Sequence, residues 1–167
     1  MKTLTTSFRL KIRFSEIDAM RVVWHGAYAK YFEDAREYFG EVFELGYKLI
    51  EENQVFAPIV DLSFQYKKPL RYGMKPEVVI TYVPTEAAKI VFDYEIRDPE
   101  SDTLMTTGRS VQVFMDKDYQ LVWESPAFFE AWKKRWGIIS YNKVWSIVLL
   151  TISSHPWERP QSRIICQ

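Results

Sequence analysis

The stretch Phe14-Ser-Glu-Ile-Asp-Ala-Met-Arg-Val-Val-Trp-His-Gly-Ala-Tyr28 marks the point where the hydrophobic period of the sequence changes. From Phe8 to Phe14, apolar residues alternate with Arg and Lys, a pattern that predicts a half-buried strand. From about Ala27, aromatic and apolar residues recur at intervals of three and four and indicate an amphipathic helix of about five turns. The quoted stretch therefore joins a strand to a long helix.

Downstream of this helix, Gly46 is a plausible stop, and a short helical piece is expected at 47–52. Period two then returns in four runs, which begin at Val60, Val78, Ile90 and Thr107. The short connections between the last three runs favour antiparallel neighbours, because a parallel crossover needs a dozen or more residues. A terminal helix is expected at about 126–136. The prediction is an α+β domain in which the helix and the sheet bury their apolar faces against each other.

Length and charge limit the classes of protein that remain. The 167 residues suit one domain, predicted at 1–137, with a tail at 138–167 whose order the pattern does not predict. Lys plus Arg and Asp plus Glu number 22 each, so no basic excess points to nucleic acid. The single Cys166 excludes a disulfide framework. No apolar run approaches the ~20 residues of a membrane span, and we expect a cytoplasmic protein.

Several common chemistries lack their motifs. No GxGxxG, Walker A or GxSxG pattern occurs, and two histidines without HExxH or a cysteine cluster speak against a zinc site. Carboxylate and imidazole groups instead concentrate in the strand–helix connection, as Glu16, Asp18, His25 and Tyr28. Taken alone, such residues are more often turn or capping residues. Their position at a helix N-terminus, however, is one where a developing oxyanion can be stabilised.

The segment from Ser15 to Arg36 resembles the signature of the 4-hydroxybenzoyl-CoA thioesterase family, which includes the Tol–Pal-associated acyl-CoA thioesterases. That signature runs roughly D-x-D-x-x-G-V-V-[YWF]-H-x-x-Y, followed by F-E-x-A-R. The resemblance continues through Ala57-Pro-Ile-Val60 and Tyr66-Lys-Lys-Pro69-Leu-Arg-Tyr-Gly73, and it covers about residues 7–136. Two positions depart from the signature: Glu16 replaces its first Asp, and Arg21 replaces its Gly.

The resemblance implies a hotdog fold, in which a curved antiparallel sheet wraps a long central α-helix. It also implies a homodimer or homotetramer with active sites at the dimer interface. Acyl-CoA would be the substrate, with a small-to-medium or aromatic acyl group, and neither a metal nor a redox cofactor would be needed.

Roles for individual residues follow from the same resemblance. Asp18 would attack the thioester carbonyl or activate water as a general base, and both mechanisms stay open. His25 would orient or polarise the reacting groups. Each further candidate also has a structural interpretation, which for Tyr28, as the first buried residue of the helix, is slightly favoured. Candidate substrate or CoA contacts are Tyr28, Arg21, Lys67, Lys68 and Arg71, and candidate oxyanion donors are the backbone N–H groups of Gly26, Phe56 and Ala57.

Two other functions compete with thioester hydrolysis. A hotdog module could bind acyl-CoA or an acyl carrier without turnover, if Arg21 spoils the turn that carries Asp18. A hotdog dehydratase or hydratase is the weakest candidate. Those enzymes need a His–carboxylate pair on the helix and its flanking strand, whereas this pair precedes the helix.

Overall fold

The computed structural model describes residues 3–138. In this part of the chain the elements, in order, are β1 (Thr5–Arg9), a 3-10 turn (Phe14–Glu16), α1 (Ala27–Phe43), α2 (Tyr47–Glu52), β2 (Ile59–Tyr66), β3 (Glu77–Tyr82), β4 (Lys89–Asp98), β5 (Thr103–Val113) and α3 (Ala127–Arg135). Residues 139–167, nearly all of the predicted tail, lie outside the described residues. Ile138 is buried against the domain, and its N–H donates to the carbonyl of Lys133. No described helix is long and apolar enough to cross a membrane.

The five strands form one antiparallel sheet in the order β1-β3-β4-β5-β2. Short connections make β3, β4 and β5 a meander, as predicted, while β1 and β2 are added at its two edges. β2 pairs with β5 along one side, and its other side has no strand partner among the described residues. Val60 and Tyr66, at the two ends of β2, are about half exposed, because an edge strand is covered on one side only.

Helix α1 buries its aromatic stripe on this sheet. Phe32 stacks on Tyr94 with ring centroids 4.0 Å apart and on Phe64 at 4.9 Å, and Phe39 meets Phe92 edge-on at 4.8 Å. Beneath Phe32, Gly108 of β5 leaves room for the ring, since a Cβ at this position would lie 2.2 Å from a ring carbon. The apolar helix face and the apolar sheet face therefore cover each other, as the patterns predict.

The first predicted strand has the wrong bounds. The pairing of β1 with β3 ends at Arg9. The chain beyond Arg9 leaves the sheet and leads to the 3-10 turn. Leu10 and Ile12 are buried as the alternation predicts, but the side chain of Phe14 is 78% exposed. The turn forms because the Glu16 side chain accepts a hydrogen bond from the N–H of Arg13, a local bond that alternation does not reveal.

Gly46 does not terminate the long helix as predicted. α1 ends at Phe43, and Glu44 adopts the left-handed conformation, with φ of 59°, that glycine usually supplies. Gly46 instead precedes α2 and lies against Gly40 of α1, where an added Cβ on Gly40 would come 2.7 Å from the Cα of Gly46. The two glycines thus allow the start of α2 to approach the last turns of α1.

Candidate active site

Asp18 stands at the start of a tight turn that ends at Val22. Its N–H donates to the Val22 carbonyl at 2.9 Å, and the Arg21 N–H donates to the Asp18 carbonyl at 3.0 Å. The side-chain Oδ1 accepts from the N–H of Met20 at 2.8 Å and from that of Val22 at 3.4 Å. Oδ2 makes no hydrogen bond within residues 3–138, so one carboxylate oxygen is anchored and the other is available.

The same turn occurs a second time, at Asp116. Asp116 Oδ1 accepts from the N–H groups two and four residues later, both at 2.9 Å, and the two backbone bonds recur at 2.9 and 3.1 Å. The fourth residue is left-handed in both turns, with φ of 61° at Arg21 and 59° at Tyr119. The hydrogen bonds of Asp18 therefore follow from the turn itself, and what distinguishes Asp18 is its surroundings.

A cavity of about 300 Å³ opens beside Asp18. His25 lines the same cavity, although neither a hydrogen bond nor an ion pair joins the two side chains in the described part of the protein. The remaining lining consists of apolar and aromatic residues and two lysines. The full lining consists of Asp18, Met20, Val22, Val23, His25, Tyr28, Tyr66, Lys67, Lys68 and Pro69.

Two tyrosines form the aromatic wall. Tyr28 is buried in the first turn of α1, and its ring meets that of Tyr66 edge-on at 4.9 Å. The Tyr66 hydroxyl donates to the backbone carbonyl of His25 at 3.3 Å, which ties the end of β2 to the segment that carries the imidazole. Burial raises the pKa of Tyr28, so its phenol is neutral at neutral pH and adds no charge beside Asp18.

Glu16 does not line the cavity and instead holds the connection between β1 and α1 together. Its Oε2 accepts from the Tyr31 hydroxyl at 2.7 Å and from the Arg13 N–H at 2.8 Å, while its carbonyl accepts from the N–H of Trp24 at 2.8 Å. Burial, and next the hydrogen bond to Glu16, raise the pKa of Tyr31 well above its ordinary range. The Glu16 carboxylate thereby joins the 3-10 turn to α1, and its main-chain carbonyl binds the segment that follows the Asp18 turn.

The N-terminus of α1 lies directly after His25. The Ala27 N–H donates to the carbonyl of Trp24 at 2.9 Å, and the Tyr28 N–H donates to that of His25 at 3.4 Å. The Gly26 N–H, by contrast, makes no hydrogen bond within residues 3–138. The Trp24 indole lies over Gly26, where an added Cβ would come 2.1 Å from a ring carbon.

The structure brings some of the other predicted site residues into this cavity and leaves others outside. Lys67 and Lys68 line it, whereas Arg21 and Arg71 are exposed nearby and do not. Phe56 and Ala57 line a separate groove of about 1560 Å³, between the C-terminal half of α1, α2 and the start of β2. The Phe56 N–H already donates to the carbonyl of Met115 at 2.8 Å. Within one chain, these two residues do not meet Asp18.

Sequence reasoning missed Tyr66 and the apolar wall of Met20, Val22, Val23 and Pro69 as site residues. Tyr66 begins the Tyr-Lys-Lys-Pro segment, which could have drawn attention to it, but period two assigns it only to the inward face of a strand. Within residues 3–138, no three His, Cys, Asp or Glu side chains come together so as to hold a metal ion.

A five-stranded antiparallel sheet packed on α1, with Asp18 and His25 at the start of that helix, defines a hotdog protein of the thioesterase type. Residues 12–133 match the thioesterase-like superfamily, and the chain belongs to that superfamily.

Individual relatives agree with this assignment. The chain is 31% identical over 110 residues to the "Putative acyl-CoA thioesterase YneP" of Bacillus subtilis (strain 168), covering 65% of this chain and 78% of that protein. The crystal structure of the hypothetical protein TT1821 from Thermus thermophilus is 27% identical with a TM-score of 0.68, over 78% of this chain and 96% of that one. The DHNA-CoA thioesterase from Staphylococcus aureus shares the fold. It is 23% identical with a TM-score of 0.61, over 90% of this chain and 91% of that chain.

Proposed function

We propose that this chain is an acyl-CoA thioesterase and that Asp18 and His25 are its catalytic residues. The observation that carries the proposal is the state of the Asp18 carboxylate. Two backbone N–H groups hold its Oδ1, while Oδ2 is available beside a cavity that the imidazole of His25 also lines. A carboxylate held in this way is oriented for attack or for general-base catalysis without reorganisation.

The proposed reaction breaks the thioester C–S bond. Asp18 either removes a proton from water as the water oxygen bonds to the carbonyl carbon, or attacks that carbon to give an anhydride that water then opens. In both routes CoA leaves as the thiolate, and the products are a carboxylic acid and the free thiol. His25 would polarise or orient the carbonyl. Because the reaction uses only these groups, we propose no metal or redox cofactor.

Among the predicted oxyanion donors within this chain, we propose the Gly26 N–H. The N–H groups of Ala27 and Tyr28 are already bonded to Trp24 and His25, whereas that of Gly26 is not. It also belongs to the N-terminus of α1, where the helix dipole favours a developing negative charge.

We propose that the protein is a homodimer, as is implied for its family, in which β2 pairs with β2 of a second copy. Antiparallel pairing over the full strand would bring Tyr66 of one copy beside Ile59 of the other. The cavity at Asp18 adjoins one end of β2, and the groove lined by Phe56 and Ala57 adjoins the other end. Dimerisation would therefore join the two into one composite site, which would explain why they are apart in a single chain.

The acyl group is proposed to be small to medium or aromatic. The aromatic wall of Tyr28 and Tyr66 beside Asp18 supports a compact or aromatic acyl group. We also propose three finer points. The chain would belong to the 4-hydroxybenzoyl-CoA or Tol–Pal-associated thioesterases, its sheet would wrap around α1, and the protein would be cytoplasmic. They rest on the motif between Ser15 and Arg36.

Thiol release from a panel of acyl-CoAs tests this function. The panel should vary chain length and include an aromatic member, and acyl-CoA binding should be measured in parallel. We expect turnover with the short and aromatic members. Binding without thiol release for every member would contradict hydrolysis and would favour the non-catalytic binding module. The intact Asp18 turn, with Arg21 in the conformation that this turn requires, argues against that module.

A further inference from the structure

The neutral net charge conceals a strongly basic face. The segments 9–25 and 67–75 together contain eight Lys and Arg against two carboxylates, Glu16 and Asp18, a net formal charge of +6 with His25 neutral. All eight cations are exposed. We define the basic face by these residues: Arg9, Lys11, Arg13, Arg21, Lys67, Lys68, Arg71 and Lys75.

The two segments lie side by side in the folded chain. The Leu10 N–H donates to the carbonyl of Pro76 at 2.8 Å, and the Val23 N–H donates to that of Leu70 at 2.9 Å. The rings of Phe14 and Tyr72 meet edge-on between these contacts, with centroids 5.7 Å apart. The eight exposed cations, which come from distant parts of the sequence, are therefore carried by two segments that contact each other.

In the described part of the chain, few carboxylates face these cations; Glu77, the cross-strand partner of Arg9, is one of them. Within residues 3–138, none of the eight forms an ion pair, whereas Arg97, Arg109 and Arg135 elsewhere each pair with a carboxylate. Charge repulsion among them raises the energy of the face unless an anionic surface is present. The face is therefore suited to an external polyanion.

Large apolar side chains are exposed in the same two segments. Phe14 is 78% exposed and Met20 77%, while Tyr72 and Trp24 are each at least half exposed. They interleave with the cations along the chain, as in Arg13-Phe14, Met20-Arg21 and Arg71-Tyr72. Exposed aromatic and thioether groups surrounded by Lys and Arg match the interface of a bilayer, where apolar tips enter the acyl region and cations meet the headgroups.

We propose that this face docks the protein reversibly on an anionic lipid surface. The basic face contacts the phosphates of the headgroups, and Phe14 and Tyr72 insert between them. An isolated phosphate-bearing small molecule would need only a few of the cations and none of the exposed apolar tips. The proposal does not rest on thioester hydrolysis. If that activity is also present, the cavity at Asp18 opens between the two segments and so lies beside the membrane.

Cosedimentation of the full chain with vesicles tests the proposal. We expect binding to vesicles that contain phosphatidylglycerol, little binding to pure phosphatidylcholine, and loss of binding at high salt. The double variant Lys11→Gln/Lys75→Gln should bind about fivefold more weakly for each cation removed. Its matched control, Lys48→Gln/Lys117→Gln, removes two exposed cations from elsewhere and should bind like the parent.

A second pair of variants separates lipid insertion from electrostatic attraction alone. Phe14→Ser/Tyr72→Ser should weaken vesicle binding on the order of tenfold, whereas Trp123→Ser, at a side chain that is 84% exposed elsewhere, should not. Failure of the parent to bind anionic vesicles would overturn the proposal. Unchanged binding of the Phe14→Ser/Tyr72→Ser variant to anionic vesicles would also overturn the proposal, because an acidic protein or a nucleic acid would then be the better occupant.

Discussion

At the scale of single residues, the Asp18 and Asp116 turns show which properties of the site belong to the backbone. Both carboxylates accept from N–H groups two and four residues later, and both turns place a left-handed residue fourth. Neither left-handed position holds the glycine that this conformation favours. Arg21, which stands where the resembled signature has Gly, therefore costs conformational energy, while Asp18 makes the same hydrogen bonds as Asp116.

Replacement of Arg21 by glycine should consequently stabilise the protein. Relief of the left-handed strain outweighs the greater freedom of glycine in the unfolded chain, and we expect a net gain of about 1 kcal/mol in the free energy of unfolding. Denaturant titration measures this gain. Arg21→Ala is the control, since it removes the charge but keeps the strain. Equal stability of the Gly and Ala variants would show that no strain is stored there.

At the scale of elements, alternation and helical periodicity predicted α2, β3, β4 and the helical character of α1 and α3. These elements are decided by burial of one face, which a pattern of apolar residues records directly. Two predicted boundaries were wrong, the end of the first strand and the end of α1, and both depend on local polar bonds or close contacts. The hydrogen bond from the Arg13 N–H to the Glu16 side chain produces the 3-10 turn. The close approach of α2 to α1 depends on Gly40 and Gly46, which lie against each other.

Part of the candidate site could be predicted, because several of its residues are close together in the sequence. The motif placed Asp18, His25 and Tyr28 at the start of α1, and the fold brings them to one cavity. It could not indicate that Phe56 and Ala57 line a separate groove, because that depends on how β2 is positioned at the edge of the sheet. Nor could it reveal the basic face, since the two contributing segments are about forty residues apart in sequence.

The contact between α1 and α2 gives a prediction at this scale. Gly40→Ala places a Cβ 2.7 Å from the Cα of Gly46, so the helices must separate, and we expect a loss of about 2 kcal/mol despite the better helix propensity of alanine. Gly46→Ala is the matched control, because its Cβ would meet the nearest atoms at an ordinary 3.7 Å. Thermal unfolding of both variants measures the difference. Equal melting temperatures would refute the close-contact account.

At the scale of the whole molecule, two edge strands, β1 and β2, and one charged face are left uncovered by the described residues. The outer side of β2 has no strand partner in the described chain, and long unpaired edges are usually protected or used for association. The proposed dimer covers this edge and completes the site. Most of the basic face lies away from β2, whereas its members Lys67 and Lys68 directly follow β2 and line the cavity that the proposed dimer would complete.

Disruption of the β2 edge should therefore affect assembly and activity together. Val60→Lys introduces a charge where a second β2 would pair, and sedimentation should show a folded monomer that has lost thiol release. Thr5→Lys, on the opposite edge strand β1, should leave the dimer and its activity intact. A Val60→Lys monomer with full activity would contradict the composite site.

The most direct test of the central claim compares the two matching turns. Asparagine can still accept both backbone N–H groups, so Asp18→Asn and Asp116→Asn should retain the fold and the oligomeric state and change the melting temperature to a similar, small extent. Only Asp18→Asn should lose thiol release, by about 10²-fold or more, because it removes the carboxylate that we propose to be catalytic. Hydrolysis by the Asp18→Asn protein at the rate of the parent would show that Asp18 is a turn residue and nothing more.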